Sequence, residues 1–135
     1  MSHVFDISIS PMGQKAGADL TAQQYTVVRH DTSTADQVLL STGASTRNLG
    51  VLQNSPSSGQ EAEVAVLGPA KAKLRVNACD LAAGVYLGVA SDAALEPLTA
   101  SGPAFAKYMG APVTSGSILG QVLLFGGTIL AASRF

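Results

Sequence analysis

Apolar and polar residues alternate with a period of two over several short stretches of this chain, and clusters of Gly, Pro, Ser, Asn and Asp separate those stretches. That is the strand period, because successive side chains on an extended backbone point to opposite faces. The densest example is GVLQNSPSSGQEAEVAV (50–66). Val51 and Leu52 supply a short apolar strand, Asn54 to Gly59 break it, and Glu61 to Val66 reads polar, small, polar, apolar, small, apolar. Pro56 and Gly59 cannot both sit inside a regular ladder, so a turn is expected there. AKAKLRV (70–76) alternates without a fault, with Lys71, Lys73 and Arg75 on one face against Ala70, Ala72, Leu74 and Val76 on the other.

YTVVRH (25–30), VLLS (38–41), VYLGVA (85–90) and AFAKYMG (104–110) predict further strands, the last with Phe105, Lys107 and Met109 sharing a face. Gly68-Pro69 reads as a turn, ALEPL (94–98) as a proline-limited edge segment, and Pro112 to Gly116 as a last loop. Helix is nearly absent: LTAQQ (20–24) and DLAAG (80–84) offer single turns, the second ended by Gly84. VFDISIS (4–10) alternates before Pro11, Gly13 and Gly17 interrupt it, so residues 1–24 form an N-terminal arm or a first strand. ILGQVLLFGGTILAA (118–132) is too short, and too interrupted by Gly120, Gln121, Gly126 and Gly127, to span a bilayer; it predicts a pair of buried strands. The pattern is therefore all-β: a small single-domain β-barrel or sandwich of short antiparallel strands with extended termini. Its core runs over 25–127, and 128–135 is a C-terminal tail.

At 135 residues the chain is one domain long, and a fold of that size buries roughly two-thirds of the surface of its unfolded chain. Hydrophobic residues make up 47% but aromatics only 5%, with no Trp, so Ala, Val and Leu must fill the interior between thin layers of strand. Charged residues are 13% of the chain, about half the usual share. So few charges cover an exterior poorly, which points to burial against other subunits. The net charge of −1 and the scattered cations form no basic stripe, so nucleic acid is not an expected partner. MSHVFDISIS lacks the basic region and apolar block of a signal peptide, and Asp6 interrupts it. Cys79, the one cysteine, allows no internal disulfide and reads as a small buried hydrophobe in a protein at home in a reducing compartment.

Reactive constellations are missing. No GxxxxGK phosphate loop or GxGxxG follows a strand, and Ser117 in GSILG lacks the spacing of a nucleophile elbow. His3 and His30 have no ligand partners at metal spacing. Glu61 and Glu63 share a strand face, as solvated acids commonly do. Neither catalytic residues nor a cofactor or metal site is expected, and neither is an enzyme.

GVLQNSPSSGQEAEVAVLGPAKAKL (50–74), DLAAGVYLGVASDAALEPL (80–98) and SILGQVLLF (117–125), taken in order, resemble the small capsid cement or head decoration proteins of tailed bacteriophages. The shared features are a GVLQN turn with Pro and Gly, a strand carrying VAV-G, an Ala-Gly pair leading into a strand that ends at a small polar turn, and a closing hydrophobic strand. The resemblance covers 50–125, while residues 1–24 and 128–135 match nothing in it. It implies a β-rich virion structural protein, commonly a homotrimer, on the outer face of the capsid. Such a protein binds major capsid protein subunits and locks neighbours together, assembling in the host cytoplasm and engaging no membrane. A clamp of this kind gains by avidity, because its second contact is effectively intramolecular. The candidate contact residues are at the two ends: Val4, Phe5, Ile7 and Ile9 as an arm that adds to a strand edge, and Ile129, Leu130 and Phe135 as a second grip or a trimer closure. The alternative for both ends is ordinary barrel strands covering their own core. The alternative function is a tail, fibre or carbohydrate-binding module. Sugar platforms display exposed Trp or Tyr, and only Tyr25, Tyr86 and Tyr108 are available here.

Overall fold

The computed structural model describes residues 14–44, 47–76, 81–98 and 102–132. The first five strands, β1 (Lys15–Ala16), β2 (Val27–His30), β3 (Gln37–Leu40), β4 (Asn48–Leu52) and β5 (Val64–Ala65), form one sheet in the order β1-β3-β2-β4-β5. The second five, β6 (Leu67–Val76), β7 (Tyr86–Val89), β8 (Leu95–Pro97), β9 (Gly102–Tyr108) and β10 (Gly116–Ala132), close into a barrel in the order β10-β6-β8-β7-β9. Among the described residues there is no helix. The all-β expectation holds.

The alternation of 70–76 is realised residue for residue: Ala70, Ala72, Leu74 and Val76 are buried inside the barrel, while Lys71 and Lys73 are exposed and Arg75 is half-buried. The sheet explains a pattern that alternation misses. Val27-Val28, Val51-Leu52 and Val64-Ala65 are apolar pairs whose members point to opposite faces, and all six side chains are buried. Val27, Val51 and Ala65 pack on the barrel core. Val28, Leu52 and Val64 join Ala16, Leu20 and Ala62 in a second core on the far face. A strand covered on both faces has no polar side to show, and burying each Val or Leu contributes about 1.5–3 kcal/mol.

The sheet is also curled. Its edge strand β1 meets the segment that leads into β5, the other edge, through an antiparallel bridge between Lys15 and Glu61. The Ala16 N–H donates to the Gln60 carbonyl at 2.8 Å, and the Ala62 N–H donates to the Gln14 carbonyl at 3.1 Å. β1 thus covers the run leading into β5, and neither edge is left as a long open template. Backbone bonds weld sheet to barrel: the Lys73 N–H donates to the Tyr25 carbonyl and the Val27 N–H to the Ala93 carbonyl, both at 2.8 Å.

Four expectations are corrected. The strands are not uniformly short or antiparallel: β10 has 17 residues and β6 has 10, and β1–β3 and β6–β8 run parallel. Gly68-Pro69 is no turn but part of β6, just past Val66, where the chain leaves the sheet for the barrel; Gly68 at φ 91° supplies the bend that a side chain would resist. ALEPL is no edge, since β8 lies between β6 and β7. Residues 118–132 are one strand rather than a pair. β10 follows β6 up to Phe125 and β9 from Val122 onward, with its register shifting between Leu124 and Ile129, where Gly126 has φ 84°. Residues 128–132, expected in the tail, therefore belong to β10.

One buried polar cluster fixes the turn end of the sheet. The Ser41 hydroxyl donates to Asn48 Oδ1 at 2.7 Å, and Asn48 Nδ2 donates to the Gly43 carbonyl at 2.8 Å. The Ser41 hydroxyl also lies 3.1 Å from the Gly43 carbonyl and accepts the Gly43 N–H at 3.2 Å. Asn48→Ala therefore removes the two amide bonds while leaving both groups a partner, and is expected to lower stability by about 1–1.5 kcal/mol. Urea unfolding measures it; a loss under about 0.5 kcal/mol would show that the amide holds nothing together.

Candidate functional site: the outer face of the barrel

Five of the seven candidate contact residues, Val4, Phe5, Ile7, Ile9 and Phe135, lie outside the described residues. Ile129 and Leu130 lie in β10, with Ile129 opposite Ala104 of β9. His30 is exposed on β2, and Glu61 and Glu63 are both exposed beside the turn that precedes β5. Among the described residues no group of three His, Cys, Asp or Glu comes together that could hold a metal ion. Asp19 accepts the Thr21 hydroxyl at 2.8 Å and the Thr21 N–H at 3.1 Å, which hold its carboxyl below the usual carboxylate value.

The surface with the most distinctive chemistry is the outside of the barrel, and strand register builds it. Leu119 and Gln121 of β10 stand opposite Lys73 and Lys71 of β6. Leu123 stands opposite Pro69 on one side and Lys107 of β9 on the other, and Lys107 stands opposite Tyr86 of β7. The row Pro69–Leu123–Lys107–Tyr86 therefore crosses four strands on the solvent side, and all four residues are half-buried. Phe125 extends it, its ring tilted against Tyr86 with centroids 5.9 Å apart. The inward residues of the same strands, Ala70, Val122, Leu124, Ala106, Tyr108 and Leu87, are buried.

Among the described residues three large apolar side chains are conspicuously exposed: Leu67 at 45%, Met109 at 49% and Leu119 at 52%. All belong to this face or its rim. Lys107 Nζ sits 5.2 Å from the Tyr86 ring centre and Lys71 Nζ 5.9 Å from that of Tyr25, contacts worth about 0.5–1 kcal/mol each at exposed sites. They orient the ammonium groups without neutralising them. Of the described acids, Asp92 and Glu96 reach this side, and both turn to Arg75, at 2.6 and 3.5 Å. Among the described residues Lys71, Lys73 and Lys107 have no ion pair, so the face carries net positive charge.

Beside Leu119 the loop over 20–26 leaves the barrel wall and opens a groove of about 390 Å3, whose lining includes Gln23, Thr26, Lys73, Ser117 and Leu119. A second depression, of about 310 Å3, shares Lys73 and Leu119 and reaches Tyr25 and Ser55. Tyr25, at φ 72°, is held in this left-handed conformation by bonds from its N–H to the Leu52 carbonyl and from the Lys73 N–H to its own carbonyl. A bulky residue adopts that backbone only where its surroundings enforce it. The groove is thus built on a rigid junction. It suits recognition of another surface: apolar contact at Leu119, the Lys73 ammonium beside it, the paired Arg75 and Asp92 in the wall, and hydroxyl and amide groups along the rim.

Sequence reasoning placed the contact residues at the termini and passed over this face. The usable signal was the Lys/Ala alternation of β6. Once β10 is set against it, Leu119 must lie on the lysine side.

No family model matches the chain, and no curated protein matches it in sequence. Among solved structures it is similar to the N base of head fiber gp8.5 in bacteriophage phi29, with a TM-score of 0.54 and 12% identity over 91% of this chain and 97% of that one. The likeness runs over nearly the whole of both chains and is one of fold.

Proposed function

We propose that this chain is a virion structural protein that binds the outer surface of an assembled phage head and stabilises contacts between neighbouring major capsid subunits. The observation that carries the reading is the shared fold: a protein of a phage head has the same architecture over 97% of its length. Composition supports it independently, since a chain with 13% charged residues and three exposed large hydrophobics on one side is suited to burial against other proteins. The protein acts by binding alone, as a homotrimer, with protein partners and neither nucleic acid nor membrane. Rigidity serves that role. A closed barrel welded to a curled sheet transmits load between two shell subunits without deforming, and each added contact raises avidity.

Purified chain mixed with genome-filled heads of the virus that encodes it is expected to bind saturably and at fixed stoichiometry, and to raise the temperature at which the heads disrupt. Heads that neither take up the chain nor gain stability would sink the proposal. The solved neighbour, a fibre base, favours one second reading, in which the chain anchors a fibre rather than tying shell subunits. Density projecting beyond the barrel in decorated heads, with no gain in their stability, would favour that reading.

A further inference from the structure

The proposed function leaves open which side of the molecule meets the shell. The described residues divide unevenly in charge. Residues 14–66 carry Lys15, Arg29 and Arg47 against Asp19, Asp31, Asp36, Glu61 and Glu63, whereas the described residues of the barrel half carry Lys71, Lys73, Arg75 and Lys107 against Asp92, in the β7–β8 turn, and Glu96. The cations of the barrel gather on its outer face, interleaved with Leu119, Leu123 and Phe125, and both acids there are engaged by Arg75. Exposed Leu next to unneutralised Lys gains nothing in a free chain, because the same strands fill the core with their other face. It gains on contact with a surface of opposite charge that also offers apolar area.

A second copy fits this description less well. Two such faces brought together by a two-fold would set lysine against lysine. The acids of the other half are dispersed, with Asp31 and Asp36 around the β2–β3 turn and Glu61 and Glu63 before β5, so no acidic patch of matching size is presented.

Resting on the proposed function, we infer that the outer face of β6, β10 and β9 running from Leu119 to Leu123, with Lys73 opposite Leu119, Lys71 opposite Gln121 and Lys107 opposite Leu123, is the surface that docks the shell, and that its counterpart on the major capsid subunit is acid-bearing and partly apolar. The groove beside Leu119 receives a projecting segment of that partner. Positive charge accelerates the encounter and sets its register, and the apolar centre supplies the contact that persists.

The test uses the full chain and heads of its own virus, with occupancy measured against protein concentration at several salt concentrations. Lys71→Glu/Lys73→Glu and Leu119→Asp are each expected to weaken binding by about tenfold or more. Glu61→Lys/Glu63→Lys, on the other half, should stay within about twofold, and binding of the unaltered chain should weaken as salt rises. All these positions are exposed, and an unchanged melting temperature confirms that each variant folds. If the unaltered chain binds but the Lys and Leu119 variants bind equally well, the docking face lies elsewhere and only this inference falls. If the variants bind heads normally but dissociate an oligomer of the free chain in sedimentation, the face joins copies of the protein, and the inference falls again. If the unaltered chain does not bind heads, the proposed function falls with it.

Discussion

Gly50→Ala is expected to destabilise the fold by about 3 kcal/mol or more, and Gly50→Val to leave no folded protein. Gly50 lies in β4 opposite Val28, one residue before the Val51–Ala65 pair. A methyl group added there would fall far inside contact distance of the Ala65 carbonyl oxygen, and 2.9 Å from Val64 Cγ1. Neither obstacle can step aside. The Ala65 carbonyl belongs to the backbone of β5, and Val64 is fully buried in the second core. Admitting one carbon therefore requires β5 to separate from β4, which opens both cores at once because Ala65 and Val64 belong one to each. Urea unfolding and the melting temperature report it. Gly50→Ala with a midpoint within about 2 °C of the unaltered chain would mean that β5 does not pack on β4 as described, since even 1 kcal/mol shifts a domain of this size by a few degrees.

The close approach at Gly50 illustrates what the sequence could and could not reveal. The strand content was legible wherever one face of a strand meets core and the other meets water, and 70–76 is the plain case: Lys and Ala alternate because the barrel wall has an inside and an outside. Where both faces are covered, as at Val27-Val28 and Val51-Leu52, alternation vanishes and the strand shows only as an apolar pair. At 61–66 the alternating letters overstated the strand, since β5 is only Val64–Ala65, with both residues buried. β10 fails for another reason. Its run of Ile, Leu, Val and Phe serves core on one side and an outer apolar face on the other, so composition alone could not tell Leu119 from Val122. Gly68-Pro69 misled because Gly and Pro usually punctuate. Here they lie near the start of a strand, where the chain changes sheets and Pro69 faces outward on the barrel. Barrel closure was legible as a class but not as a topology, because β6 pairs with β10 across most of the second half of the chain. The candidate face depends on that pairing. It became visible only once Lys73 stood opposite Leu119.

That same strand pair keeps stability and docking on opposite sides, which makes the two separable by mutation. Leu74 is buried at 1% exposure; it faces Ile118 of β10 across one ladder and Leu95 of β8 across the other. Its Cδ1 fills the space that Gly120 leaves open on β10, lying 2.5 Å from where a side chain on that glycine would begin. Leu74→Ala removes this filling from the middle of the barrel, and neither neighbour can collapse into the gap without leaving its own strand. The expected loss is about 2–5 kcal/mol, a large fraction of the stability of any domain. Leu119→Ala, one residue along from Ile118 on the opposite side of β10, is expected to change stability by no more than about 0.5 kcal/mol. Paired urea titrations of the two variants decide the matter. A loss at Leu74 below about 1 kcal/mol would mean the barrel interior is not closely packed, and a large loss at Leu119 would mean that side chain belongs to the core rather than to a surface awaiting a partner.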